Sequence, residues 1–419
     1  MPKRSRRSDS RRSVPRRSLR SWMGRGALAL GAVTLGLISV ADSFARLVEK
    51  VDPARAAMLA PGNGVILAAS AQQAFTTAPS EAADSNAARL ARLALREDPT
   101  AVEALNVLGL QAQLRGETER AREIFQYSLR LSRRELRPQI WAIEEAVNRG
   151  DIAAALRSYD IALRTSKEAP NLLLPNLVSA LAEPKVRAGL LPIMASDPVW
   201  ANSFLQRVAT SGIAPVAGLA FFREGEAVDL PVNDDLRAAL VNALLAQGEI
   251  QPAWSYYSEF RRDAVRNRSR DPDFALNADI RAVFDWMPSA QSGVSAAILQ
   301  EGEGGILDFS LPPSTGGTLV QQTQLLPPGT YRISGRSRGI EQSERSRPYW
   351  ALLCQDGREL GRVEVPNSDI ENGAFGGQVS VPGDCAVQIL SLIARASDDI
   401  TGVSGQIERA ALVPSGEVR

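Results

Sequence analysis

The sequence predicts a multidomain chain of α and β parts: an amino-terminal transmembrane helix, an α-solenoid of helical hairpins, and a carboxy-terminal antiparallel β-sandwich, jelly-roll-like in type. Three observations predict it. An uncharged apolar run follows a basic tail, small and bulky residues recur at intervals of 34, and the apolar period shifts from 3.6 to 2 after Gly302. At 419 residues the chain exceeds one ordinary core, so more than one domain is expected.

The expected boundaries are a basic tail at 1–25, a signal-anchor at 26–41, a variant repeat and linker at 42–80, the solenoid at 81–285 and the sandwich at 290–416. The tail carries ten Lys/Arg against Asp9 alone, leaving 38 basic and 46 acidic side chains in the rest. The body is therefore mildly acidic, which argues against nucleic-acid binding. The chain contains no histidine. That removes Ser-His-Asp and Cys-His catalysis and histidine zinc sites, while carboxylate, lysine and tyrosine chemistry survive.

Gly26–Ala41 is free of charge between Arg25 and Asp42. Trp22 and Met23 extend its apolar length, and Arg25 is placed to snorkel. The positive-inside rule puts the tail in the cytoplasm and the bulk of the chain across the membrane. The rival is a cleaved signal peptide, since Ser39-Val40-Ala41 and Ser43-Phe44-Ala45 fit a small-x-Ala pattern. It would leave a secreted periplasmic binding protein.

At the interval of 34, Ala87, Ala121 and Ala155 align, as do Ala91, Phe125 and Tyr159, and Ala94, Ser128 and Ala162. Gly116 and Gly150 share one register, each followed by an acid. A small residue suits a close helix crossing, a bulky one four positions on fills the gap to the next hairpin, and glycine supplies the left-handed turn. Gly248-Glu249, Ala253 and Tyr257 repeat the spacing later, and short helices broken at Pro175, Pro184, Pro192, Pro198 and Pro215 lie between. The segments AARLARLALREDP, EALNVLGLQAQLRGETERAREIFQYSL and EEAVNRGDIAAALRSYDIALR resemble the tetratricopeptide repeat family. The third departs from it, with Ala142-Ile143 where Leu-Gly is expected and Arg133 where proline is common. The resemblance implies a groove that takes protein partners. Arg130, Arg133, Arg134 and Arg137, at i, i+3, i+4, i+7, are partner-binding candidates if one helix carries them all. The competing role is a solvated face. Tyr127, Trp141 and Tyr159 are expected to pack.

Eight apolar runs follow Gly302, separated by turn signals such as Asp356-Gly357 and Pro382-Gly383-Asp384. PPGTYRISG resembles a segment of extracytoplasmic β-sandwiches and carbohydrate-binding modules. Cys354 and Cys385 are expected to point inward from strands and to bridge in an oxidising compartment, with two buried free thiols as the alternative. Tyr349 and Trp350 are the glycan-stacking candidates, Tyr349 facing outward, with Tyr331 and Phe375 as further aromatics. Asp398-Asp399 and Glu301/Glu303 have no calcium-loop spacing and are expected to be solvated acids.

No cofactor, metal or catalytic residue is expected. The order of parts resembles bacterial envelope and exopolysaccharide-associated tetratricopeptide proteins. That resemblance implies a single-pass inner-membrane protein that scaffolds protein partners and contacts a second partner or a glycan. The alternatives are a carboxylate-dependent carbohydrate-active enzyme, drawing on Asp308, Glu359, Glu364 and Glu408, and a purely structural tether.

Overall fold

The computed structural model describes residues 19–277, 280–302 and 304–416, apart from the side chains of residues 19–22, 24 and 25. Most of the basic tail, Glu303 and the Trp22 and Arg25 side chains lie outside the described residues. After Lys167 the chain divides into two compact units.

The first unit is helical. Helix α1 (Leu19–Glu49) contains the apolar segment and continues beyond it. Among the described residues it is the one helix long and apolar enough to cross a membrane, and both small-x-Ala sequences lie within it. Its end packs on α2 (Pro53–Leu59) and α3 (Gly64–Thr77), where Ala45, Ala56 and Ile66 form a small core. Asp52 caps α2 by accepting from Arg55 N, and Pro53 sits at N1, where its missing donor costs nothing. Helix α4 (Asn86–Glu97) completes a hairpin with α3. The connection through 78–85 is held by buried Gln111, whose Nε2 donates to Ser80 O at 3.0 Å and Ser85 Oγ at 2.8 Å.

Two more hairpins follow: α5 (Val102–Leu114) with α6 (Thr118–Leu131), and α7 (Leu136–Asn148) with α8 (Ile152–Thr165). The aligned small residues Ala87, Ala121, Ala155, Ala94, Ser128 and Ala162 are all buried. Gly116 (φ +75) and Gly150 (φ +71) are left-handed. Glu117 N donates to Ala112 O and Gly116 N to Gln113 O, the bonding of a Schellman turn. Gly109 answers to a different need, because a Cβ there would stand 2.7 Å from the Phe125 ring.

The second unit opens with six helices: α9 (Ala169–Ala180), α10 (Pro184–Ala195), α11 (Ala201–Thr210), α12 (Pro215–Glu226), α13 (Asp234–Ala246) and α14 (Ile250–Phe260). Pro184 and Pro215 start helices as expected. Pro175 and Pro192 do not break theirs and sit inside α9 and α10. Helix α11 packs between α9 and α13.

Among the described residues, ten strands form two five-stranded antiparallel sheets. One has the order β1 (Met287–Pro288), β4 (Gly317–Gln324), β9 (Gln388–Ala394), β6 (Tyr349–Cys354), β7 (Glu359–Glu364). The other runs β2 (Ser295–Glu301), β3 (Gly304–Leu311), β10 (Val403–Pro414), β5 (Gly329–Arg338), β8 (Ala374–Val381). Strands β3 to β10 follow jelly-roll order, and all eight expected runs are strands. Strands β1 and β2 are additional to that expectation.

The sandwich also begins earlier than residue 290. Phe274 and Trp286 are fully buried in its core, their rings 5.4 Å apart, and Trp286 lies 5.5 Å from Trp350. Ser269 bonds to Leu412 of β10 in both directions at 2.8 Å. Residues 269–277 and 280–288 therefore form a strap between the sheets and the last helices, where Asn242 of α13 accepts from Val283 N at 2.7 Å and Phe284 packs on Trp254 of α14.

Candidate functional site

The outer face of the β4-β9-β6-β7 sheet is built by simple alternation. Trp350, Leu352, Leu390 and Leu392 point into the core. Their neighbours must point out. Register then sets three rows: Thr318, Ile393, Tyr349, Glu364; Gln321, Ser391, Ala351, Arg362; and Thr323, Ile389, Leu353, Glu359. The middle row is short-chained at its centre, with Ala351 fully buried and Ser391 nearly so beneath the larger side chains around them. Tyr349, Ile393, Leu353 and Ile389 stand half-exposed on either side of it. The result is a shallow apolar trough with charge along its β7 edge.

Tyr349 is the outward member of its pair, as alternation predicts. Its ring is already engaged: the Arg362 and Arg395 guanidiniums lie 4.8 and 4.5 Å from the centroid. Arg395 pairs with Glu364, and Arg362 donates to Glu359 at 2.7 and 2.8 Å. That hydrogen bond holds the Glu359 carboxyl below the usual carboxylate range. Such a surface offers apolar contact to the C–H face of a sugar ring. It also offers guanidinium, carboxylate and amide groups to hydroxyls around that ring.

Trp350 cannot be a stacking residue. It is fully buried between Trp286 and Phe375, because its position on β6 alternates inward. Tyr331 and Phe375 are core residues too, and the Tyr331 hydroxyl donates to Pro327 O at 2.8 Å. Cys354 and Cys385 are joined in a disulfide, with Cα atoms 5.8 Å apart. Cys385 is not in a strand as expected: it sits in the turn before β9, which starts at Gln388.

The arginine stripe is a second correction. Helix α6 ends at Leu131, where Ser132 turns extended, so the four arginines share no helix. Arg130 lies in its last turn, 5.8 Å from the Tyr127 ring; Arg133 and Arg134 occupy the connection, and Arg137 opens α7. Trp141 packs on Phe125 with centroids 4.9 Å apart, while Tyr127 is exposed.

The strand acids fall on two sheets. Asp308 accepts from Gln406 at 2.7 Å and Glu408 lies 3.7 Å from Arg338 on one; Glu359 and Glu364 are paired on the other. Among the described residues no group of three or more His, Cys, Asp or Glu is placed to hold a metal ion. Asp399 is spent on its own turn, accepting from Thr401 N and Oγ1.

Sequence reasoning missed the junction between α14 and the sandwich. Asp285, fully buried, accepts from the Tyr257 hydroxyl at 2.7 Å and from Arg270, and its other oxygen takes Ala282 N at 3.1 Å. Burial, reinforced by the Asp285 charge, pushes the Tyr257 hydroxyl far up, so it stays a donor. Buried Gln322 of β4 clamps the Arg270 backbone through both ends of its amide. The visible signal was Tyr257 at the bulky repeat position followed by the dense segment AVFDWMP. A separate groove of about 540 Å³ lies among the helix ends of the second unit, with exposed Ile213 and Val216 beside Arg187, Gln247 and Glu249.

No family model and no curated protein matches the chain. Solved structures similar to part of it include the enzymatically active domain of bacteriophage CBA120 tailspike protein 4, at 11% identity and TM-score 0.24, covering 36% of this chain. The chain spans only 21% of that domain's length. The carbohydrate-binding module CBM4 is similar at 15% identity and TM-score 0.26, over 35% of this chain and 99% of the module. The module TmCBM61, solved with β-1,4-galactotriose, is similar at 16% identity and TM-score 0.24, over 36% of this chain and all of the module.

Proposed function

We propose that this chain is a membrane-anchored extracytoplasmic scaffold that binds partners and catalyses nothing. Helix α1 anchors it, with the tail in the cytoplasm and the bulk on the periplasmic side of a bacterial inner membrane. Hairpins of tetratricopeptide type take protein partners, and the trough around Tyr349 contacts a glycan of the cell envelope.

The observation that carries this proposal is the company of parts in one chain. A largely apolar helical stretch, 26–44, with no buried residue adjoins helical hairpins, and a disulfide-bonded sandwich presents an apolar trough edged by charge. Exposed apolar helix surface of that length favours lipid over water. Disulfides persist in oxidising compartments. The strand acids support binding over catalysis, because they are spread over two sheets and paired with arginine or glutamine, whereas a glycosidase needs two across a cleft.

The test uses the full chain in detergent on immobilised envelope polysaccharides, beside a Tyr349→Ala variant. Retention of the parent and loss of retention by the variant, with unchanged thermal unfolding, is the expected result. Equal retention of both removes the trough from the proposal. A reporter fused after Arg419 should be active only outside the cytosol.

A further inference from the structure

We infer that strand β2 is an interface between two copies of this chain, which pair antiparallel along its free edge about a two-fold axis at Ile298. The inference goes beyond the reading above and uses neither the trough nor the hairpins.

Among the described residues the two sheets end in four edge strands, and three are protected against joining another sheet. Strand β1 has two residues, one of them Pro288. Strands β7 and β8 close on each other: a Cβ on Gly361 would stand 2.9 Å from Val379, and one on Gly377 would stand 2.7 Å from Val363. Strand β7 also carries Glu359, Arg362 and Glu364. Strand β2 has none of these devices. It pairs with β3 over seven residues without a bulge, and it holds no proline and no charge before Glu301.

Register decides which of its backbone groups are free. Gly305 N donates to Asp273 O at 2.9 Å, away from β2. Its partner Gln300 is therefore in a non-hydrogen-bonded pair, and the two kinds of pair alternate along an antiparallel ladder. Ser295, Ala297, Leu299 and Glu301 bond to β3. The N–H and C=O groups of Ala296, Ile298 and Gln300 face outward, and among the described residues no backbone bond from outside the ladder meets them.

Those six groups fit a second copy of themselves. An axis at Ile298 sets it against the partner's Ile298, Ala296 against the partner's Gln300, and Gln300 against the partner's Ala296. Six hydrogen bonds close with none left over. The neighbouring registers fail. An axis at Ala297 would need Val294 N, which is already given to Gln291 O, and an axis at Leu299 would need Gly302, which is left-handed at φ +64. The side chains agree with the central register. Ile298, half-buried at the margin of the core, is covered by the partner's Ile298, and exposed Leu299 lies across from the partner's Ala297. The two Glu301 carboxylates stand about 20 Å apart, each opposite a serine.

The test uses the full chain in detergent, whose two native cysteines are both in the disulfide. Ile298→Cys and Ser295→Cys are oxidised mildly at equal concentration. Across the axis, Cα 298 stands about 5.5 Å from its counterpart, within disulfide reach, and Cα 295 about 20 Å. Covalent dimer at 298 exceeding that at 295 by roughly tenfold is expected. Gln300→Pro removes one edge N–H from each copy and leaves the bonds to β3 in place. It should turn the dimer seen by light scattering into monomer, with thermal unfolding unchanged. Monomer in the unaltered chain, or equal bridging at both positions, overturns the inference. A dimer that survives Gln300→Pro is held elsewhere on the chain, which also overturns it. The same oxidation is applied to membranes before extraction. Bridging of residue 298 to another protein there, in place of its counterpart, gives the edge to a foreign strand and overturns the second copy.

Discussion

Hairpin α5–α6 and the sandwich solve one packing problem in opposite ways. In the hairpin the decisive contact is between residues only sixteen apart, Gly109 and Phe125, within one repeat of the 34-residue spacing. In the sandwich, Ser269 meets Leu412 across 143 positions and Trp286 meets Trp350, with no period to announce either. Local contacts leave a rhythm in the sequence because each repeat faces the same crossing. Non-local ones leave only composition.

The largest expected effect is on the strap. Trp286→Ala should cost about 3–5 kcal/mol, as for other large aromatic deletions from a closed core. Urea unfolding followed by tryptophan fluorescence would show it, with helical circular dichroism of the first unit retained. A small loss would mean that the strap only leans on the sheets.

Next comes the disulfide. With a sequence separation of 31, replacing Cys354 and Cys385 by serine should cost about 3.7 kcal/mol by loop entropy. Thermal unfolding with and without reductant checks it, and the first unit should be indifferent.

The hairpin answers with a smaller number. Gly109→Ala puts a Cβ against the Phe125 ring and should cost about 1–3 kcal/mol. Adding Phe125→Leu should recover part of that loss, and additive losses would show that the two residues do not touch.

Smallest is the rim of the trough. Because Arg362 lowers the Glu359 carboxyl, its contribution is present above the unfolded value and fades as pH falls through the lowered one. Glu359→Gln should therefore cost less than about 1 kcal/mol at pH 7 and nothing well below pH 4. Chemical unfolding at the two pH values compares them.

What could be read beforehand follows the same divide. Gly116, Gly150 and Gly248 declared their hairpins through a glycine spacing, and all three are left-handed. The eight jelly-roll runs declared themselves by alternation, which also turned Tyr349 outward. The arginine stripe failed because four residues at helical spacing say nothing about where a helix ends, and Ser132 ended it. Trp350 failed as a ligand contact because an aromatic on a strand serves whichever face its register assigns, and its register faces the core.

The sequence by itself determined the kinds of element, their order and the position of the turns, since periodicity, glycine chirality and charge are properties of neighbouring residues. The tertiary structure alone decided three further things: that Phe274 and Trp286 enter the core of the sandwich, that Arg362 and Arg395 flank Tyr349, and that Asp285 joins the last hairpin to the sheets. Each depends on side chains brought together from distant stretches of chain. No local pattern records such a meeting, because its energy arises only when both partners have left water.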